Sequence, residues 1–427
     1  MADRLLNGKR VLLGVTGGIA AYKAADLCSK LVQAGAEVDV VMTEAATRFV
    51  APLTFSALSG RAARVDMWVA SGGDVIPHVQ MAAAVDLVIV APLSANTLAK
   101  LSLGLADNLL TATLLATTAP WVLAPAMESH MWSNPVTQGH ARALVDRGAM
   151  MVGPGTGHLA SGAEGIGRMA EPSDILGAAR LVFARRGPLA GRRVLVTAGG
   201  TQEPLDPVRY VTNASSGKMG VALAEAARDL GAEVTLVHAP LSVGLPAGVQ
   251  SLPVRTAVAM RDAVFSCLAG ADILIAAAAV ADFRPAQAAA EKIKKGPGGQ
   301  GLTLELIRNP DILAEVANQR RATGWPRIVV GFAAETQDLL ENASAKLKAK
   351  QLDLIVANDV SQPGSGFGGD ENRVTLLYRG GRQEPLELMS KSDVADLVLG
   401  AAVSLLPDAQ AEATSPSAGD NAEPETG

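Results

Sequence analysis

The sequence predicts an α/β protein built of two Rossmann-like domains with mainly parallel sheets, and three observations predict it. A strand-to-helix unit occurs twice: GKRVLLGVTGG leads into a helix and then AGAEVDVVMT, and GRRVLVTAGG leads into a helix and then LGAEVTLVHAP. Short apolar β-branched runs alternate with helical stretches, the pattern of a parallel sheet covered on both faces. At 427 residues the chain can fill two ordinary cores. A composition of 49% hydrophobic but only 3% aromatic residues suits close helix-on-sheet packing by alanine and valine.

The elements of the first half follow in order. RVLLGV reads as a strand, and the helix after Gly18 places Ala20, Ala24, Leu27 and Leu31 on one stripe before Gly35 ends it. Thr16 reads as an N-cap beside Gly17 and Gly18, small residues that let a cofactor phosphate approach the helix N-terminus. EVDVVMT is the second strand, ending at Thr43, whose hydroxyl can serve the same ligand. LVIVAP is the third, with Ser94, Asn96 and Thr97 at its carboxyl end. One polar group there is ordinary capping; three in four residues favour a polar ligand. WVLAPAM is a fourth strand. His78 in VIPHVQMA is the acid or base candidate among five histidines, with a structural role as the alternative. A linker near Arg186 to Gly191 separates a domain over 1–188 from one over 189–405.

The second strand-to-helix unit is longer. Val11 and Gly35 are 24 positions apart, Val194 and Gly231 are 37 apart, and the 13 extra residues fall at the carboxyl end of the strand, where doubly wound sheets bind ligands. The insert is not a P-loop: Met219 follows Gly217-Lys218 and Thr212 stands where the first glycine belongs. GxGxxG is absent too. What remains is an anion-receptive helix start at SSGKMG, with Asn213 able to bond a carbonyl or phosphate and Arg209 able to meet a carboxylate; loop bracing is the alternative for both. Met219, Leu223, Ala227 and Leu230 form the helix stripe, and Gly231 ends it.

Further on, ILIAAAAVADFRP is a buried strand that delivers Asp282 and Arg284 at its ligand end. Lys292, Lys294 and Lys295 precede a glycine-dominated loop and read either as a solvated basic flap or as anion contacts. IRNPDIL opens the next helix, with Asn309 as N-cap and Pro310 at the first helical position. Phe332 in GFAAET is core or base-stacking. Lys346 and Lys350, four apart, share a helix face. Residues 406–427, acidic and rich in Ala, Ser, Pro and Gly, read as a disordered tail.

Bulk properties narrow the function. With 37 basic and 42 acidic residues the net charge is −5, which argues against nucleic acid as partner. Cys28 and Cys267 show no CxxC spacing, so neither a zinc site nor a disulfide framework is indicated. MADRLLNGKR lacks an apolar signal core and no uncharged run reaches roughly 18 residues, so a soluble cytoplasmic protein without membrane association is expected.

TAGGTQEPLDPVRYVTNASSGKMG, AAAVADFRP, EKIKK, RNPDIL, GFAAET and LDLIVANDVS resemble the phosphopantothenate–cysteine ligase half of the bifunctional coenzyme A biosynthesis family. The resemblance implies CTP as co-substrate, an acyl-cytidylate intermediate and a divalent cation, Mg2+ or Mn2+. It implies that Ala278, Asp282, Lys292, Asn309, Pro310, Asp311, Ile312, Phe332, Lys346 and Lys350 contact the nucleotide. Asn213 and Arg209 would hold the acyl cytidylate, and Lys292 would act on the phosphoryl group.

GVTGGIAAYK, APLSANTLAK, VIPHVQMA, APAMESHMW and LASGAEGIGRMAEP resemble the flavin-containing cysteine decarboxylases. This implies an N-terminal flavodoxin-like flavoprotein domain, a C-terminal nucleotide-binding ligase domain, and FMN held by Thr16, Gly17, Gly18, Thr43, Ser94, Asn96 and Thr97. His78 matches the catalytic histidine, and Glu128 and Met131 lie in the substrate-binding PXMNXXMW motif. Two positions depart from the family. Glu128 replaces the motif's asparagine, and Ser161 stands where many members carry the flap cysteine that donates a proton; a thiol is a much stronger acid than a serine hydroxyl. The implied reaction is decarboxylation of 4′-phosphopantothenoylcysteine to 4′-phosphopantetheine. The alternative is an active ligase whose N-terminal half stops at the enethiol or only binds flavin. Family contacts imply a homo-oligomer, with trimers and dimers combining into a dodecamer.

Overall fold

The computed structural model describes residues 5–68, 76–158, 162, 164–185, 187–294, 302–335, 338–359 and 369–407. Ser161, Lys295 and most of the expected tail lie outside them. The first half runs β1 (Arg10–Val15), α1 (Ala21–Gln33), β2 (Glu37–Met42), α2 (Glu44–Thr47), α3 (Pro52–Ser59), α4 (Pro77–Ala84), β3 (Leu87–Leu93), α5 (Ala95–Leu103), α6 (Leu109–Ala116), β4 (Trp121–Pro125), α7 (Ser129–Ser133), α8 (Pro135–Asp146), β5 (Met150–Met151), β6 (Gly155–His158), β7 (Glu164–Arg168) and α9 (Pro172–Ala184). The second runs β8 (Arg193–Ala198), β9 (Gln202–Pro204), β10 (Tyr210–Thr212), α10 (Lys218–Asp229), β11 (Glu233–His238), β12 (Gln250–Pro253), α11 (Ala257–Cys267), β13 (Ile273–Ala276), β14 (Phe283–Pro285), β15 (Leu306–Arg308), α12 (Ile312–Thr323), β16 (Ile328–Glu335), α13 (Leu339–Ala349), β17 (Leu354–Asp359), β18 (Glu371–Asn372), β19 (Val374–Tyr378), β20 (Gln383–Pro385), β21 (Met389–Ser390) and α14 (Lys391–Ser404).

The N-terminal sheet is parallel in the order β2-β1-β3-β4-β5, the flavodoxin-like order. The larger sheet has the order β12-β11-β8-β13-β16-β17-β19-β20. Its first six strands are parallel in the Rossmann arrangement, and β19 and β20 close one edge antiparallel. In each sheet the order reverses beside the first strand, so a crevice opens between β1 and β3 and between β8 and β13.

Burial follows strand alternation. Val11, Leu13 and Val15 pack on one face of the first sheet while Leu12 packs on the other. Val194, Val196 and Ala198 oppose Leu195 in the same way in the second. A shared device sets the register at the far end of both sheets. Asp86, Asp272 and Asp353 each stand one residue before a central strand, and each carboxylate accepts a backbone N–H at the start of the neighbouring strand, from the first residue of β1 and β8, Arg10 (2.9 Å) and Arg193 (2.9 Å), and from the second of β16, Val329 (2.8 Å). The carboxylates satisfy amides that would otherwise begin a strand without a partner.

The 13-residue insert, legible in the sequence only as an over-long loop, forms the antiparallel hairpin β9–β10. Buried Glu203 in β9 accepts the N–H of Ala257 at the start of α11 (2.8 Å), which pins the hairpin over the ligand end of the sheet. Between the halves, α9 packs on both α1 and α10, and Arg180 on α9 reaches Asp229 on α10 at 3.9 Å.

Candidate active sites

A cavity of about 580 Å³ opens at the carboxyl ends of β1 and β3, with Gly17, Gly18, Ser94, Glu128, Met131 and Arg168 in its wall. Gly17 is glycine for space: a Cβ there would lie 2.5 Å from the Cβ of Ala45 and 3.0 Å from its carbonyl carbon. Gly17 thus lets the loop pack against Ala45, while Gly18 beside it in the wall has open space where a Cβ would stand.

Several hydroxyls in the FMN set have other employment. Thr16 is not an N-cap, since Ala20 occupies that position. Fully buried, its hydroxyl donates to Pro92 O (2.7 Å) and accepts from Ser94 N (2.9 Å), tying the ends of β1 and β3 together and holding Ser94 at the cavity. Thr43 caps α2 by accepting from Ala46 N (3.3 Å) and is not in the cavity wall. Ser94 caps α5 through Thr97 N (3.4 Å), Thr97 is buried with its hydroxyl 3.2 Å from that of Ser94, and Asn96 is exposed. Only Ser94 of that trio lines the cavity.

Glu128 caps the short α7. Its carboxylate accepts from His130 N (2.7 Å) and Met131 N (3.3 Å) and lies 2.9 Å from His130 Nδ1. Desolvation works against its ionisation, but the hydrogen bonds from His130 and Met131 outweigh this and hold the carboxyl below its usual range. The β6–β7 ribbon is fastened over this turn, with Met127 N donating to Gly167 O at 3.0 Å. His78, in the first turn of α4, is outside the wall of this cavity within one chain; its Nδ1 is buried and makes no hydrogen bond among the described residues.

The sequence reading missed a charged cluster in the same wall. Lys23 is only 9% exposed and lies 2.8 Å from Glu171, which also accepts from Arg168 at 3.1 Å. Lys23, then Arg168, hold the Glu171 carboxyl below its ordinary range. Glu171 stands just outside the cavity wall, and with Glu128 inside it the two cations and two carboxylates balance, so Lys23 and Arg168 are the cationic groups this wall displays. The available signal was a lysine three residues after Ala20 and one before Ala24, on a buried helix stripe.

The second cavity, about 730 Å³, lies over the ligand ends of β8, β13 and β16. Ala278, Asp282, Asn309, Pro310, Asp311, Ile312, Phe332, Lys346 and Lys350 all line it, brought together from four separate segments. Phe332 is partly buried, packs on the core and lines the cavity. Lys346 donates to Phe332 O (2.8 Å), and Lys350 pairs with Asp311.

Asn309 does not cap α12. Its amide donates to Ala281 O (2.8 Å) and its carbonyl accepts from Arg284 (3.0 Å), so the side chain is used across the loop; Asp311 is the cap, accepting from Ala314 N at 3.0 Å. Burial alone pushes the Asp311 carboxyl up, yet Lys350 and the helix amide hold it below its usual range.

Three residues sit outside the cavity wall. Asn213 donates to the carbonyl of Val280, a wall residue, at 3.2 Å. Arg209 does meet a carboxylate, but it is that of Asp206, through Nε at 2.9 Å. Lys292 is exposed. Among the described residues, no group of three His, Cys, Asp or Glu side chains is placed to hold a metal, and no helix is long and apolar enough to cross a membrane.

A flavodoxin-order sheet and a Rossmann-order sheet, each with a largely apolar cavity carrying a few polar groups at its switch point, define a two-domain enzyme for nucleotide-like ligands. The family model described as Flavoprotein matches residues 2–181, and the DNA/pantothenate metabolism flavoprotein C-terminal domain matches 189–405. Over 398 residues the chain is 49% identical to the coenzyme A biosynthesis bifunctional protein CoaBC of Bacillus subtilis (strain 168), covering 92% of this chain and 97% of the relative. It is 46% identical over 394 residues to the protein of that name from Vibrio cholerae serotype O1, covering 92% and 98%. Among solved structures, the C-terminal domain of a coenzyme A biosynthesis bifunctional protein CoaBC matches at 37% identity with a TM-score of 0.43, covering 51% of this chain and 97% of that one. The chain belongs to the bifunctional coenzyme A biosynthesis family and joins a flavoprotein decarboxylase half to a ligase half.

Proposed function

We propose that residues 189–405 join cysteine to 4′-phosphopantothenate at the expense of CTP, and that residues 1–188 decarboxylate the product to 4′-phosphopantetheine with FMN. The observation that carries the ligase reading is the 730 Å³ cavity, which gathers nine motif residues around one space at the switch point. In the first step the pantothenate carboxylate attacks the α-phosphorus of CTP, pyrophosphate leaves, and an acyl cytidylate forms. In the second the amine of cysteine attacks the acyl carbon, the amide forms and CMP leaves. Phe332 offers a face for the base, Lys346 and Lys350 offset phosphate charge, and Lys292 approaches the transferred phosphoryl group from outside the wall. Asn213, fixed through Val280, orients the acyl end. A Mg2+ or Mn2+ ion bound with the triphosphate would offset its charge.

For the decarboxylase, the bare backbone at Gly17 and Gly18, with Ser94 held by Thr16, suits FMN. Bound FMN supplies a two-electron acceptor for the cysteinyl end of the substrate and returns the electrons once carbon dioxide has left. Lys23 and Arg168 offer local cationic contacts to an anionic substrate, and the β6–β7 ribbon over α7 limits water. His78 is the proposed proton acceptor and Ser161 the proposed donor. Ile19 and Tyr22 line this cavity yet are 61% and 62% exposed, which supports closure by a neighbouring copy in a homo-oligomer; trimer and dimer contacts together give a dodecamer. The reading places the enzyme in the cytoplasm.

The test is purified protein with phosphopantothenate, cysteine, CTP and Mg2+. CMP, carbon dioxide and phosphopantetheine are expected, with flavin absorbance in the preparation. Lys292→Gln and Asn213→Asp should each stall cysteine incorporation, and full turnover in both variants would remove the ligase assignment. Ser161 in place of the cysteine favours one second reading, release of the enethiol; its accumulation with no phosphopantetheine would establish that.

A further inference from the structure

Asp206 belongs to neither cavity wall and is only 3% exposed, yet its carboxylate accepts from Val208, Arg209 and Ile293 at once. The two oxygens do different work. Oδ1 closes the local turn, accepting from Val208 N and Arg209 N, both at 2.8 Å. Oδ2 accepts from the Arg209 guanidinium, through Nε at 2.9 Å and through Nη2, and from Ile293 N at 3.1 Å, 87 residues along the chain. Arg209 Nη2 donates in turn to Ile293 O at 2.8 Å, and Ala289 N donates to Leu205 O at 2.9 Å. The backbone of the lysine flap, one residue beyond Lys292, is therefore clamped to the hairpin insert through a single carboxylate oxygen and one guanidinium.

From this geometry we propose that Asp206 is a positioning residue for the activation step: it fixes Arg209 and the flap lysine Lys292 as one unit at the edge of the nucleotide cavity. The proposal rests on the ligase reading given above. A turn alone does not require an aspartate, because the single carbonyl oxygen of asparagine can close it. The second oxygen is what the long-range contacts consume. The Arg209 hydrogen bonds hold the Asp206 carboxyl far below its ordinary range, so it is ionised wherever the enzyme works. Lys292 is a long exposed side chain whose reach is set by where its backbone is anchored. Without the anchor it samples many positions, and a misplacement of about 1 Å in a reacting group is enough to cost on the order of a hundredfold in rate.

The experiment uses the full-length protein and follows pyrophosphate release from CTP and phosphopantothenate without cysteine. Asp206→Asn keeps the turn acceptor and replaces Oδ2 by an amide that donates toward Ile293 N–H and Arg209. The rate should fall roughly tenfold to a hundredfold, the factor that goes with one or two charge-assisted hydrogen bonds, while the KM for CTP stays within about twofold. Tryptic cleavage after Lys292 and Lys294 should accelerate, with flavin absorbance and melting temperature retained as controls on folding. In a Lys292→Gln background, Asp206→Asn should add no further loss, since both act through one group. A wild-type rate, a raised KM for CTP at unchanged kcat, or fully additive losses would each overturn the proposal. Should Asp206→Asn fail to fold, Ile293→Pro, which removes the flap donor and leaves Asp206 intact, carries the same expectations. Full activity in Lys292→Gln alone is a separate failure, that of the ligase reading itself.

Discussion

Gly220→Ala tests the packing that presents the ligase loop. Gly220 lies in the first turn of α10, where the helix rests on β8, and an added Cβ would lie 2.5 Å from Ala198 Cβ, 3.0 Å from Ala198 Cα and 3.1 Å from Thr197 O. Carbon atoms are comfortable at about 3.5–4.0 Å, so the helix must lift by roughly 1 Å because two of the three neighbours are backbone. Two energies compete. Alanine improves the helix by about 1 kcal/mol over glycine, while overpacking against a rigid strand costs about 1–3 kcal/mol. The net is a loss of about 0–2 kcal/mol and a melting temperature lower by a few degrees. The functional effect is larger, because lifting the start of α10 shifts the turn before it, which carries Asn213, the residue proposed to orient the acyl end. CTP-dependent pyrophosphate release should fall by on the order of a hundredfold. Calorimetry and a pyrophosphate assay on the same preparation read both quantities, with flavin absorbance as an internal control. A variant that melts higher and turns over normally would refute the close-approach argument.

Two further outcomes concern groups away from the chemistry. Cys28 is fully buried and burial pushes its thiol up to about 11, whereas Cys267 is partly exposed, so iodoacetamide at neutral pH should label one cysteine in the native protein and two in denaturant; native labelling at Cys28, read by peptide mass, would contradict the burial. Glu225, on α10 near the contact with α9, has its carboxyl raised above 4.5 by burial, against the pull of Arg228. The folded chain thus keeps a proton that the unfolded chain has released, so stability falls as pH rises from 4.5 through the raised value and stays reduced above it. Glu225→Gln should flatten melting temperature against pH across that window and melt higher than wild type at neutral pH; an unchanged slope would show that burial does not govern this carboxyl.

Much of both sites was legible because the informative signals are local. β-branched runs mark the buried strands, and short motifs carry the identities of nine residues in the wall of the larger cavity. Where a hydroxyl or amide points was not legible. Thr16, Thr43 and Thr97 all sit near ligand ends of strands, and the same spacing serves a cap, a strand tie or a ligand contact; the path of each turn chose the structural use. Asn309 lost the cap to Asp311 for a similar reason, since its side chain found partners in Ala281 and Arg284 across the loop.

The sequence by itself determined two doubly wound domains, the lengthened loop of the second and the residue types each cavity would display. Tertiary structure alone decided which distant groups meet: Lys23 with Glu171, 148 positions apart, and the Asp206 carboxylate with the backbone N–H of Ile293, 87 apart. A helix turn or a strand repeat reaches only a few residues, so sequence periodicity carries no information about such pairs. They exist because the strand orders of the two sheets fold the chain back on itself beside a switch point, where a buried polar group is stable only with its partner in place.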